Sequence, residues 1–192
     1  MAKIKAKIAK PDRVACLERA TDMGWLSMAF SDQGVRAISI SDAPDHDWLN
    51  LKALLKVDAA DPATSELFLS AANRPQNPGK AWLEKAATLL ADGPQHTGED
   101  VPLKPTGSSL ELAVWNAICD IPRGLTWTYK HLAEVAGYPQ AIRAVASACG
   151  RNPIALLVPC HRVVRADGGL GGYRWHVARK QKILAMERLT AR

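Results

Sequence analysis

With 192 residues, 47% of them hydrophobic and 23% charged, the chain has the balance of a soluble globular protein, long enough for one ordinary domain or two small ones. It has no run of ~20 apolar residues of the kind that spans a bilayer. The basic start Met1–Ile8 leads into no apolar stretch and does not read as a secretory signal, so a cytoplasmic protein is expected. Cys16, Cys119, Cys149 and Cys160 form no C-x-x-C pair and are expected as free thiols, with no disulfide and no structural zinc. The formal charge of +6 is uneven: residues 101–192 hold 13 Lys and Arg against 5 Asp and Glu, whereas residues 1–100 hold 12 against 14. A basic half beside a slightly acidic one suits a molecule that meets a polyanion on one side, although charge alone does not separate DNA from RNA or a membrane.

In chain order, Val14–Leu17 is a short apolar run. Trp25–Phe30 and Val35–Ile40, joined by Asp32-Gln33-Gly34, predict a β-hairpin. Apolar residues at three- and four-residue spacings predict helices around 47–56, 63–72 and 80–91, the last carried by Trp82, Ala86, Leu89 and Leu90. Asn73–Gly79 reads as a loop, and the glycines and prolines of Gly93–Gly107 as a linker between an N-terminal domain (1–100) and a C-terminal one (108–192). Leu110, Val114, Ala117, Ile118 and Ile121 share one helical face, which Pro122-Arg123-Gly124 ends. Thr128 is placed as the N-cap of a helix over Tyr129–Ala136 and Gly137 as its stop. Pro139 is expected to open a second helix from Gln140 to about Cys149, making a helix-turn-helix candidate. Ile154–Val158 reads as a buried segment, Gly168–Gly172 as a flexible loop, and Val177–Leu189 as a last helix.

A thiol attacks only as thiolate, and its ordinary pKa of about 8.5 calls for a helper near neutral pH. His161 follows Cys160 directly, which places a base beside a nucleophile. Taken alone, the pair reads more readily as a buried small hydrophobe next to a packed histidine. The string Pro159-Cys160-His161-Arg162-Val163, preceded by Arg151-Asn152-Pro153, carries more. It resembles the active-site signature of the 6-O-alkylguanine-DNA alkyltransferases. The resemblance runs over roughly residues 108–190 and takes in Ala113-Val114-Trp115, Ile121–Gly124, Tyr129, Arg143–Ala146 and Gly171–Trp175. Within the family this half looks most like the alkyltransferase domain of the bacterial adaptive-response protein Ada. The first hundred residues hold one cysteine and so lack the cysteines of Ada's zinc domain.

The resemblance implies an α+β fold: a small N-terminal sheet-and-helix, ribonuclease H-like domain, then a mostly helical, winged helix-turn-helix-like domain. It implies single-turnover repair of alkylated guanine in double-stranded DNA by a monomer that needs no cofactor, and leaves repair of 4-O-alkylthymine open. Cys160 then corresponds to the alkyl acceptor, His161 to the base acting through a water, and Glu187 to the acid that polarises it. Asn152 corresponds to the brace of the turn before the acceptor, and Tyr129 to the hydroxyl serving the extruded guanine. Arg143 corresponds to the arginine that fills the emptied base stack. Lys130 and Tyr138 join it on the DNA side, while Val163, Tyr173 and Arg174 complete the guanine pocket. No metal site is implied: Cys16, His46 and His96 make a poor ligand set. Three other readings remain at this point: a lesion-flagging binder that never becomes alkylated, a thiol hydrolase using Cys160 and His161, and a helix-turn-helix regulator, which would need a dimer and an operator.

Overall fold

The computed structural model describes residues 14–43, 51, 54–55, 78–90 and 100–190. The expected helices over 47–56 and 63–72 therefore lie largely outside the described residues, as do most of the Asn73–Gly79 loop, residues 93–99, His46 and His96. Three antiparallel strands, β1 (Ala15–Thr21), β2 (Gly24–Ser31) and β3 (Gly34–Ser41), form a sheet in the order β1-β2-β3. The expected hairpin is β2–β3, and the Val14–Leu17 run opens β1. Alternation decides which face each side chain takes. Leu26, Met28, Phe30, Ile38 and Ile40 point into the main core, while Ala29 and Ala37 pack with Leu51 and Leu54 on the other face. Helix α1 (Gly79–Thr88) lies on the first face through Leu83 and Ala86, and Trp82 meets Phe30 edge-on with centroids 6.0 Å apart.

The rest of the chain supplies α2 (Ser109–Cys119), a two-residue strand β4 (Trp127–Thr128), α3 (Tyr129–Val135) and α4 (Ile142–Gly150). A 3-10 turn (Cys160–Arg162), the short strand β5 (Val163–Val164) and α5 (Val177–Thr190) follow. The protein is thus α+β. Helix α2 begins at a capping box: Ser108 Oγ accepts from the Glu111 N–H while the Glu111 carboxylate accepts from the Ser108 N–H at 2.7 Å. Thr128 caps α3 as expected, accepting from the His131 N–H at 3.2 Å, and Gly137 follows with φ 83°. One boundary differs from expectation. Pro139 does not open α4; the Ala141 N–H donates to the Tyr138 carbonyl at 2.9 Å, so residues 138–141 make a turn and the helix starts at Ile142. A proline with fixed φ suits such a turn as well as it suits a first helical turn.

Two stretches of the C-terminal half are hydrogen-bonded to β3. The Val35 N–H donates to the Pro102 carbonyl and the Lys104 N–H to the Val35 carbonyl, both at 2.8 Å, so part of the expected linker is tied to the sheet with Val101 and Leu103 buried. Only glycine fits at position 34, because a Cβ there would lie 2.3 Å from the Pro102 carbonyl oxygen. Further along β3, the Ile38 N–H donates to the Pro153 carbonyl at 2.9 Å and the Ala155 N–H to the Ile38 carbonyl at 3.1 Å. Beyond that, the Trp175 indole N–H donates to Ser39 Oγ at 3.0 Å in a buried contact. Leu26, Met28, Ile38, Ile154, Val158, Cys160 and Trp175 belong to one continuous core.

Removing the Ser39 hydroxyl would strand a buried indole N–H. Ser39→Ala is expected to cost about 1–3 kcal/mol, measured by urea denaturation.

Candidate active site

The segment before Cys160 is irregular, and Asn152 organises it. Its buried Nδ2 donates to the carbonyls of Val158 at 2.9 Å and Ile154 at 3.1 Å and to Cys160 Sγ at 3.1 Å, while Oδ1 accepts from the Ile154 N–H at 2.9 Å. These bonds hold a turn in which Leu156 takes a left-handed φ of 67°, strained for a side chain of that bulk. Upstream, the Arg151 guanidinium donates to Glu111 at 2.6 Å, joining this region to the capping box of α2. The apolar run Ile154–Val158 is buried, and it delivers Cys160 at 7% exposure.

Around the sulfur lies a cavity of about 20 Å³, lined by Cys160, Cys149, Asn152 and Tyr129 together with Tyr173, Arg174 and their neighbours. Burial raises the Cys160 thiol pKa. The hydrogen bond from Asn152 and the charges of Lys180 and Arg174 pull it back down. Lys180 is fully buried on α5, and its ammonium donates to the carbonyls of Leu170 at 2.5 Å and Val163 at 2.6 Å. It thereby ties the glycine loop to the residues that follow Cys160.

Behind the cavity, His161 Nε2 lies 3.0 Å from Glu187 Oε1, both groups being buried. Arg162 donates to the same carboxylate, Nη2 to Oε1 at 2.7 Å and Nε to Oε2 at 3.0 Å. Burial lowers the His161 pKa, outweighing the stabilising carboxylate, so the ring is neutral. Burial alone would raise Glu187, but the hydrogen bonds from His161 and Arg162 and the Arg162 charge hold it down, to about 2. With His161 neutral, Arg162 is the charge that keeps Glu187 ionised. An ionised Glu187 accepts from His161 Nε2–H, which leaves Nδ1 as the basic nitrogen. That atom is buried and has no hydrogen-bond partner among the described residues.

Tyr129, at the start of α3, faces the glycine loop. A Cβ on Gly171 (φ 68°) would sit 3.1 Å from the Tyr129 hydroxyl, so the loop approaches closely because that position is glycine. Burial and the neighbouring Cys149 and Cys160 push the Tyr129 phenol up to about 12, leaving it a proton donor. Arg174 Nε donates to the Gly150 carbonyl at 3.3 Å, bridging the loop to the end of α4.

The structure brings Cys160, Asn152, Tyr129, Tyr173 and Arg174 to one cavity, with His161 and Glu187 directly behind it. Val163 is buried away from the cavity, its carbonyl turned to Lys180. Arg143 and Lys130 are exposed and Tyr138 half-buried on the α3–α4 face, none of them lining the cavity. Sequence reasoning missed three residues. Arg162 stood inside the signature string but carried no assigned role. Cys149 and Lys180 had no local signal, one being an ordinary helical cysteine and the other a lysine on a basic helix. Among the described residues no three His, Cys, Asp or Glu gather where a metal could be held, and no helix is long and apolar enough to cross a membrane.

The fold is α+β, and its cavity presents a buried, hydrogen-bonded cysteine beside a neutral histidine paired with an ionised glutamate. The comparisons identify the protein further. Residues 109–189 match the model of the 6-O-methylguanine DNA methyltransferase, DNA binding domain. The chain is 40% identical over 144 residues to a methylated-DNA--protein-cysteine methyltransferase of Mycolicibacterium paratuberculosis, covering 70% of this chain and 86% of that protein. It is 38% identical over 166 residues to the bifunctional transcriptional activator/DNA repair enzyme Ada of Escherichia coli, covering 86% of this chain and 43% of that one. The crystal structure of Mycobacterium tuberculosis O6-methylguanine methyltransferase superposes with TM-score 0.63 at 27% identity, over 93% of this chain and 95% of that one. The protein belongs to the methylated-DNA--protein-cysteine methyltransferase family. It spans 39% and 43% of the two Ada relatives and 56% of a Methanosarcina barkeri family member.

Because Glu187 titrates near 2 instead of 4.5, its ionisation stabilises the folded state above pH 4.5, and that contribution fades as pH falls toward 2. Glu187→Gln is expected to lower stability at pH 7, with the gap to the parent protein shrinking across this window. Urea unfolding at several pH values measures it.

Proposed function

We propose that this protein repairs double-stranded DNA by moving the alkyl group of 6-O-alkylguanine onto Cys160 in a single irreversible turnover. The observation that carries this reading is the Cys160 sulfur held by Asn152 in a cavity shared with Tyr129, in a chain whose family members are named for transfer to a protein cysteine. A family member from Mycobacterium tuberculosis has been crystallised in complex with DNA, with TM-score 0.63 to this chain. Here the DNA partner is met by the basic C-terminal half.

The thiol proton passes through a water to His161 Nδ1, and the imidazolium formed is held by Glu187. The thiolate attacks the alkyl carbon; the S–C bond forms as the C–O bond breaks, its electron pair leaving with guanine. The Tyr129 hydroxyl donates a proton to the departing base, which keeps it from leaving as a free anion, and the proton taken from the thiol replaces the one given up. No group in the cavity can hydrolyse the resulting thioether, so each molecule acts once. No cofactor enters.

The target atom is out of reach inside a duplex, so the nucleotide is extruded. Arg143, exposed on the first turn of α4, fills the gap in the stack, and Lys130 and Tyr138 flank it on the same face. Tyr173 and Arg174 enclose the base. In this reading α3 and α4 are the helices of a winged helix-turn-helix-like domain over 108–192. The sheet belongs to a ribonuclease H-like domain over 1–100, and the protein works as a cytoplasmic monomer.

Intact-mass analysis after mixing with a methylguanine duplex is expected to show the gain of one methyl per chain, mapped to Cys160 and absent from Cys160→Ala, which still binds the duplex. Methyl transfer by Cys160→Ala would refute the assignment. Arg143→Ala is expected to slow repair of duplex lesions by roughly tenfold or more while leaving reaction with a free alkylated base nearly unchanged. Parallel rate measurements on the two substrates test this, and equal losses would remove the stack-filling role.

A further inference from the structure

Two buried polar atoms beside the acceptor have no hydrogen-bond partner among the described residues: His161 Nδ1 and the Tyr173 hydroxyl. Buried ring nitrogens and hydroxyls are nearly always satisfied by protein or by ordered water. The two rings meet edge to face, centroids 6.5 Å apart and planes at 87°. Tyr173 also lines the cavity that contains Cys160, so its ring stands between the acceptor and the imidazole it meets. Burial, then the nearby Cys160, raises the phenol well above its ordinary pKa, so the hydroxyl keeps its proton and can donate.

The Tyr173 ring is held from behind. Trp175 packs against it with centroids 5.2 Å apart at 69°, and the Trp175 N–H is bonded to Ser39 on β3 at 3.0 Å. The hydroxyl therefore has a fixed address, set by the N-terminal sheet.

We propose that Tyr173 is a positioning residue for deprotonation of Cys160: its hydroxyl donates to the water that carries the thiol proton to His161 Nδ1. The inference rests on the alkyl-transfer reading above. The hydrogen count closes. The water oxygen accepts from both the Sγ–H and the Tyr173 O–H while one of its hydrogens points to Nδ1. It then takes the thiol proton and gives its own to the imidazole, ending as water that donates to the thiolate. Without the phenol one lone pair of the water is unheld and its orientation is lost.

The test is the rate of Cys160 methylation by a methylguanine duplex, read by intact mass, for Tyr173→Phe between about pH 6 and about pH 9. The expected result is a rate roughly tenfold lower near pH 7, with the rising limb displaced upward by about one pH unit so that the variant approaches the parent protein at high pH. Affinity for unmodified duplex and thermal melting are measured alongside. Trp175→Phe, which keeps the hydroxyl and loosens its brace, is expected to shift the limb less and in the same direction, and it serves as the test if Tyr173→Phe melts early. An unmoved limb, or a loss equal at every pH, overturns the proposal. Failure of the parent protein to gain a methyl would instead overturn the alkyl-transfer reading itself, so the two outcomes are distinguishable.

Discussion

The Asn152 carboxamide reaches two backbone carbonyls, one amide and the acceptor sulfur at once. Everything else at the centre depends on it. The chain between α4 and the 3-10 turn forms no helix and a single bridge to β3, between Ile38 and Ile154, so part of its buried backbone needs other partners. One side chain supplies the missing partners and, with the same amide nitrogen, meets the thiol. The turn that is held therefore cannot be separated from the sulfur that is presented. Replacing Asn152 would disturb both, which is why a structural and a chemical role cannot be told apart there by loss of activity alone.

The two halves of the chain share this centre. Strand β3 binds residues 102–104 at one end and Pro153 and Ala155 further along, and its Ser39 holds Trp175. From the other side, Arg179 on α5 donates to the Met23 carbonyl at 3.0 Å and also pairs with Asp42. The residues approaching Cys160 and those closing the cavity are thus both pinned to the sheet. The half without a signature motif is the frame on which the half with one is stretched, and it holds that half mainly through backbone groups.

Much of the fold was legible because its signals are local. The β2–β3 alternation, the Thr128 cap, the Gly137 stop and the apolar face of α2 each rest on residues within a few positions of one another. The α4 start was misread because Pro139 is compatible with both a turn and a first helical residue, and the choice is made by the Tyr138–Ala141 hydrogen bond. The signature string located Cys160, His161 and Asn152, and register with the family pointed to Tyr129, Glu187 and Tyr173. What stayed hidden are contacts across long sequence separations: Arg162 on Glu187, Lys180 on the glycine loop, Trp175 on Ser39. Trp127 pairs with Val163 across β4–β5 and meets His131 edge-on with centroids 4.7 Å apart.

Lys180 shows what such a hidden contact does. Its ammonium is buried against the carbonyls of Val163, Leu170 and, at 3.5 Å, Gly172, which are dipoles and not an anion. The cost of removing that charge from water is met once, when the chain folds. Under the proposed alkyl transfer the sulfur is neutral in the resting protein and neutral again once alkylated. A full negative charge faces Lys180 only during the interval between proton loss and bond formation. The field is therefore matched to a species that neither the fresh nor the spent protein contains, and it is in place before that species forms, so no dipoles need to reorient at the moment of reaction.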